Sequence, residues 1–212
     1  MIKVSEIRPN IYRFEFDSTY NMAMHFLRYQ EYYESPSSKF RNSQFTIFDF
    51  MEWYSKEYGN GNFTYPGDWG GFNLPGFIIK DVHNRQILDY NKYDKNMFTA
   101  YRECFKKSKE KDFYVIACTE DETVMKHEIA HGFYFINYDY MMKAQELVNK
   151  LEPSFRNAIF NELKEVGYAS SVFIDEAHAY LATGMLEDSD VKLNGEDAPF
   201  IELFNEYYKG NL

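Results

Sequence analysis

The stretch Thr123-Val-Met-Lys-His127-Glu128-Ile129-Ala130-His131-Gly132 decides how the rest of the chain is read. On a helix, residues four apart stand one turn apart on one face, so His127 and His131 can aim imidazole nitrogens at one point while Glu128 flanks it. Zinc asks for this arrangement: neutral nitrogens at about 2.0–2.1 Å, and a carboxylate near its water but not on the metal. With five histidines in 212 residues, composition alone places a His-Glu-x-x-His somewhere in such a chain roughly 1% of the time. The competing reading is packing, because Val124, Met125, Ile129, Ala130, Phe133, Phe135 and Ile136 make this helix apolar nearly all the way round. Burying His127, Glu128 and His131 on one strip without a metal, however, costs about 1–3 kcal/mol for each group left unpaired. A zinc ion removes that cost.

Two side chains do not complete a catalytic zinc site, which takes three protein ligands and an open position. The next donors lie in Ser171-Val-Phe-Ile-Asp175-Glu176-Ala-His178-Ala-Tyr180-Leu-Ala-Thr-Gly184, which predicts a helix over 171–183 with Gly184 as its stop. Glu176 and His178 stand about 200° apart around a helix, so one metal takes only one of them. Glu176 shares its face with Phe173, Ala179 and Tyr180, and the small Ala179 lets a neighbouring helix approach. His178 shares its face with Asp175, whose carboxylate can orient an imidazole from behind. Helix geometry leaves both residues open as the third ligand.

Together, His127-Glu128-Ile129-Ala130-His131 and Glu176-Ala177-His178-Ala179 resemble the gluzincin group of zinc metallopeptidases, in which the third ligand is a glutamate on a helix after the active-site helix. The resemblance spans roughly residues 113–184, and its first motif is much more specific than its second. It implies a zincin-like α+β fold: a small sheet with an edge strand before the active-site helix, and a mostly helical C-terminal lobe. It also implies Zn2+ held by His127, His131 and Glu176, and a peptide or protein substrate whose extended chain pairs with the strand at 113–118. The chemistry implied is that of a metallopeptidase, in which Glu128 takes the proton of the attacking water as general base and passes it to the leaving amine. Tyr180, Tyr168 or His178 is then the donor that stabilises the oxyanion. Tyr180 stands where some gluzincins have an aspartate four residues after the ligand glutamate, which makes Asp175 the candidate for orienting the histidines. Asn137, with Tyr134 three residues before it, stands where the other large zincin group would have its third histidine, and this excludes that group.

Outward from the motif, Asp112-Phe-Tyr-Val-Ile-Ala-Cys118 reads as a strand feeding the motif helix over 120–137, and further helices are predicted over 139–151, 153–166 and 199–209. Upstream, Ile11-Tyr-Arg-Phe-Glu-Phe16 alternates as a strand does, Asp17-Ser18 caps a helix over 19–34, and apolar spacing predicts helices over 44–58 and 96–109. From Gly59 to Gly76 the run GNGNFTYPGDWGGFNLPG is so rich in glycine and proline that it predicts a long loop, either a surface connection or a lid over substrate. Phe63, Tyr65, Trp69 and Phe72 predict that this segment packs down, and the lack of a Gly-Lys-Ser/Thr ending rules out a phosphate cradle. Gly76-Phe-Ile-Ile-Lys80 is predicted as a short strand. Lys106, Lys107, Lys109 and Lys111 read as a solvated helix end. Glu187, Asp188, Asp190, Glu196 and Asp197 form an acidic loop that lacks the spacing of a calcium site. The organisation expected is one domain, 1–212, with an N-terminal lobe over 1–137 and a helical lobe over 138–212.

Composition narrows the function classes. With 33 Asp+Glu against 23 Lys+Arg, the net charge of -10 repels phosphate backbones and argues against nucleic-acid binding. A chain that is 45% hydrophobic, with 19 Tyr and 20 Phe, buries a core of bulky side chains and is not disordered. Cys104 and Cys118 are too few for a disulfide framework and are expected as free thiols in a reducing compartment. No secretory signal and no membrane-spanning run is visible, so the expectation is a soluble, cytoplasmic enzyme with no membrane partner, export by a specialised route leaving no mark. Two other functions compete with the peptidase: a zinc-binding zincin-fold protein with a regulatory or structural role, and a metal-dependent hydrolase of a non-peptide amide or ester. A strand with free backbone groups facing the metal is the feature that favours an extended peptide.

Overall fold

A computed structural model describes residues 2–184 and 193–210. Its fold is α+β, and the chain divides into two units, Met1–Thr119 and Glu120–Leu212. The division falls before the motif helix rather than after residue 137, which groups that helix with those that follow it.

The first unit runs β1 (Lys3–Arg8), β2 (Ile11–Glu15), α1 (Thr19–Glu34), α2 (Ile47–Glu57), α3 (Tyr65–Asp68), β3 (Gly71–Pro75), α4 (Gly76–Asn84), α5 (Lys92–Lys107) and β4 (Tyr114–Cys118). Its four strands form a mixed sheet in the order β1-β2-β4-β3, with β4 parallel to β2 and antiparallel to β3. The strand before the motif is therefore an interior strand, not the expected edge. All five residues of β4 are buried, which is the pattern of a strand covered on both faces and bonded on both sides. The edges fall to β3 and to β1, whose charged Lys3, Glu6 and Arg8 suit an edge and hid it from a search for apolar alternation.

Caps account for the helix starts. The Ser18 hydroxyl accepts from the Asn21 backbone N–H at 3.1 Å, as the Asp17-Ser18 pair predicts. Helix α5 begins at Lys92, one turn earlier than expected, because Asn91 and Asp94 form a reciprocal capping box.

The glycine-rich segment is more regular than its composition suggests. It contains α3 and all of β3, the latter held by pairing from Gly71 opposite Cys118 to Pro75 opposite Tyr114. An edge strand tolerates these glycines and the proline, because backbone bonds from one neighbour are enough and Pro75 closes the strand. Its aromatic residues do pack down: Tyr65 and Phe72 are buried, at 5.3 Å from Phe50 and 5.5 Å from Phe26 between ring centroids. The strand expected over 76–80 is instead the start of α4. Ile78, Ile79 and Val82 are buried at helical spacing, and Pro75 stands at the N-cap. Gly76 permits this start: a Cβ there would lie 2.4 Å from the Phe113 ring. No helix among the described residues is long and apolar enough to cross a membrane.

Glu31, buried on α1, has its carboxyl pushed up to about 7 from the usual 4.5 by burial, with Ser35 and Tyr65 pulling the other way. Between those two values the folded chain binds a proton that the unfolded chain has lost, so this group's stabilisation is complete below pH 4.5 and disappears as the pH rises through 7. The loss amounts to about 3 kcal/mol. Glu31→Gln is expected to remove that pH dependence, making the variant the more stable chain at pH 8 in urea titrations. Parallel wild-type and variant curves from pH 5 to 8 would show Glu31 to be ionised throughout.

The second unit is built from α6 (Glu122–Ile136), α7 (Tyr138–Lys150), α8 (Pro153–Glu165), a 3₁₀ turn (Ser170–Val172), α9 (Phe173–Thr183) and α10 (Ala198–Gly210). Helix α9 packs against α6, α7, α8 and α10. Buried Ala177, Ala179, Leu181 and Ala182 give it the narrow surface that a central helix needs. Contact with α7 and α9 explains why α6 belongs to this unit: it is apolar on most faces and needs a neighbour on each. Of the acidic loop, Glu187, Asp188 and Asp190 lie outside the described residues, while Glu196 accepts the Asn194 backbone N–H at 2.6 Å.

Candidate metal centre

Two helices of the second unit bring the site together. Asp121 starts α6 by accepting the backbone N–H groups of Thr123 at 2.7 Å and Val124 at 3.3 Å, which sets His127, Glu128 and His131 on its second and third turns. Helix α9 ends at Gly184, whose left-handed φ of 75° makes it the stop that the sequence predicts. His127, Glu128, His131 and Glu176 are all buried, at 1% to 5% exposure.

Among the described residues, His127, His131 and Glu176 form a cluster whose ligand atoms lie within 4.8 Å of one another. Their spacing is close to even: His127 Nε2 to His131 Nε2 is 3.1 Å, His131 Nε2 to Glu176 Oε2 is 3.5 Å, and His127 Nε2 to Glu176 Oε2 is 3.6 Å. Ligands about 2.0–2.1 Å from a tetrahedral zinc stand about 3.3–3.4 Å apart. Three donor atoms with this spacing fit the ion. Glu176 Oε2 also makes no aligned hydrogen bond although it is buried, an expensive arrangement unless a cation sits between it and the imidazoles.

Asp175 completes the surroundings. Its Oδ1 is 2.9 Å from His131 Nδ1, so it accepts the proton of that nitrogen and leaves Nε2 turned toward the cluster, the carboxylate–histidine arrangement common behind bound metals. The Nδ1 of His127 is buried with no aligned partner. Burial resists a charge on His131, but Asp175 and Glu176 beside it outweigh burial and hold its proton well above the usual histidine range. For Glu176 burial again opposes the charge, and His131 and His127 overcome it, bringing the carboxyl down to about 2. Asp175 is likewise held below the ordinary carboxylate range, burial being outweighed by His131 and His178. The two carboxylates thus hold positive charge at the histidines, and the cluster is one that could hold a metal ion.

Helix geometry left Glu176 and His178 open, the resemblance pointed to Glu176, and the structure places the two apart. Glu176 faces the two histidines, whereas His178 stacks on Tyr134 at 4.8 Å and lies behind Asp175. The three candidate oxyanion donors separate the same way. The Tyr180 ring stands edge-on 4.7 Å from His127, and its hydroxyl is 3.4 Å from that of Tyr168. Burial, then the charge of Glu176, raises both phenols, so both hydroxyls keep protons to donate. Sequence reasoning missed Tyr134, held by a 2.9 Å hydrogen bond from Gln145, because an aromatic residue on an apolar helix carries no signal of its own. Neither protein-family models nor curated proteins nor solved structures show a match to this chain, so the likeness to gluzincins rests on the residues of α6 and α9 alone.

Proposed function

We propose that the chain is a zinc-dependent peptidase of gluzincin type, with His127, His131 and Glu176 as ligands and Glu128 as general base. The observation that carries this reading is the near-even triangle of two Nε2 atoms and one carboxylate oxygen, with a glutamate adjacent on the same helix. A zinc ion held there supplies Lewis acidity, acidifying water and polarising a carbonyl. The protein's own groups then divide the work. Asp175 keeps His131 in the tautomer that presents Nε2, Glu128 moves the proton from water to the leaving nitrogen, and the Tyr168–Tyr180 hydroxyl pair is the donor for the developing oxyanion. Peptide over another amide or an ester is favoured by the likeness of the two motifs, not by the strand before α6, since β4 has no free edge. A cytoplasmic setting suits the two buried, unbridged cysteines.

One observation favours a second reading, a zinc-binding protein with a regulatory or structural role: all three ligands and Glu128 are nearly inaccessible. One experiment separates the two. Full-length protein prepared without a histidine tag or added metal is expected to carry about one zinc per chain by elemental mass spectrometry, and to cleave unstructured peptides until a chelator stops it and zinc restores it. Zinc without cleavage selects the second reading. Protein that is zinc-free and takes up none at neutral pH returns the histidine pair to packing.

A further inference from the structure

His178 is not among the cluster's donors, yet it is fully buried and polar. Neither ring nitrogen makes an aligned hydrogen bond, so packing alone gives no reason for an imidazole here, where an apolar ring would avoid a cost of about 1–3 kcal/mol per unpaired atom. The ring's position supplies the reason. Its Nδ1 lies 3.2 Å from Asp175 Oδ1, the same oxygen that stands 2.9 Å from His131 Nδ1. The ring lies against the Tyr134 face and meets the edge of Tyr140 at 5.6 Å, so it can turn in its own plane but not leave. A small in-plane turn on Tyr134 lines the N–H up with the carboxylate. The Asp175 side chain is 24% exposed and, with one partner only, is able to swing toward water.

We propose that His178 is a positioning residue for the metal centre: it holds the Asp175 carboxylate in place, and through it the tautomer and orientation of His131. One carboxylate oxygen has lone pairs for two N–H donors, and with both engaged it cannot rotate away from His131 without losing both contacts. The role rests on the zinc reading of the cluster.

Two substitutions of His178 separate this role from simple packing. In His178→Asn the amide nitrogen can occupy the place of Nδ1, while in His178→Gln it occupies the place of Nε2, out of reach of Asp175. Zinc affinity is measured by chelator competition, the cobalt-substituted site by its visible spectrum, and folding by melting temperature. The Asn variant is expected to keep the wild-type affinity and cobalt spectrum, and the Gln variant to bind zinc about 10- to 100-fold more weakly with a shifted spectrum. Because His178 acts through Asp175, His178→Gln should add no further loss in an Asp175→Asn background, whose change is at a partly exposed side chain and keeps the core intact. Equal affinities for the Asn and Gln variants, or losses that add in the double variant, would overturn the assignment while leaving the zinc site standing. A wild-type chain that binds neither zinc nor cobalt removes the zinc reading itself, and His178's role with it.

Discussion

Glu128→Gln is expected to take up zinc at the wild-type stoichiometry and, if the chain is the proposed peptidase, to cleave peptide about 10²- to 10⁴-fold more slowly. The expectation follows from where Glu128 sits. It comes directly after His127 and one turn before His131 on α6, so it flanks the cluster without belonging to its three ligands. Glutamine keeps the length and shape of the side chain and loses the one property a general base needs, an oxygen that accepts a proton. A fall in kcat with little change in KM is the signature, because the proton moves only in the transition state. The paired measurements are kcat on a fluorogenic peptide and zinc content by elemental mass spectrometry. Undiminished cleavage removes Glu128 from the mechanism. Lost zinc instead makes Glu128 part of what holds the metal.

What the sequence made legible was local. The facing of His127 and His131 follows from a four-residue spacing on one helix, and no tertiary contact alters it. Helix geometry did not choose between Glu176 and His178, and only the resemblance pointed to Glu176, because the choice depends on which side α9 turns toward α6, and that is decided by the small buried faces of Ala177, Ala179 and Ala182 together with the other helices packed around α9. Asp175 was visible as a carboxylate able to orient an imidazole, but which imidazole it serves is again set by packing. In the first unit, composition misled where hydrogen bonding from a neighbour decides. The glycines and prolines of residues 59–76 hid β3, whose order comes from β4. The β-branched pair Ile78-Ile79 suggested a strand where Pro75 and the Phe113 contact of Gly76 start a helix. The interior place of β4 was in plain view as an unbroken apolar run, and it was the resemblance that suggested an edge.

A contact wholly invisible to spacing underlies the largest stability effect expected in the first unit. Arg28 on α1 is buried, and its guanidinium reaches three separate segments. Nε donates to Asp94 Oδ1 at 2.9 Å, one Nη to Asp89 Oδ1 at 2.6 Å, and the other Nη to the Phe45 carbonyl at 2.6 Å. Both acids have structural duties of their own. Asp94 caps α5 by accepting the Asn91 backbone N–H at 3.1 Å, and Asp89 accepts the first backbone N–H of α2, that of Ile47, at 2.8 Å. Arg28 therefore ties α1 to the starts of α2 and α5, and it balances the buried carboxylate of Asp94 and the partly exposed one of Asp89. Arg28→Ala strands Asp94, which is almost fully buried, and leaves a void along the arginine stem, for an expected loss of about 3–5 kcal/mol. Lysine cannot serve two carboxylates and a carbonyl with one ammonium, so Arg28→Lys should recover only part of the loss. Urea unfolding of the wild type and both variants measures it. Adding Asp94→Asn discriminates further: in the Arg28→Ala background, removing the stranded charge should cost less than it does in the wild type, because a pair in direct contact is not additive. Equal costs in the two backgrounds would mean that Arg28 contributes through its alkyl stem, and that the hydrogen bonds of its guanidinium are made at no net gain over water.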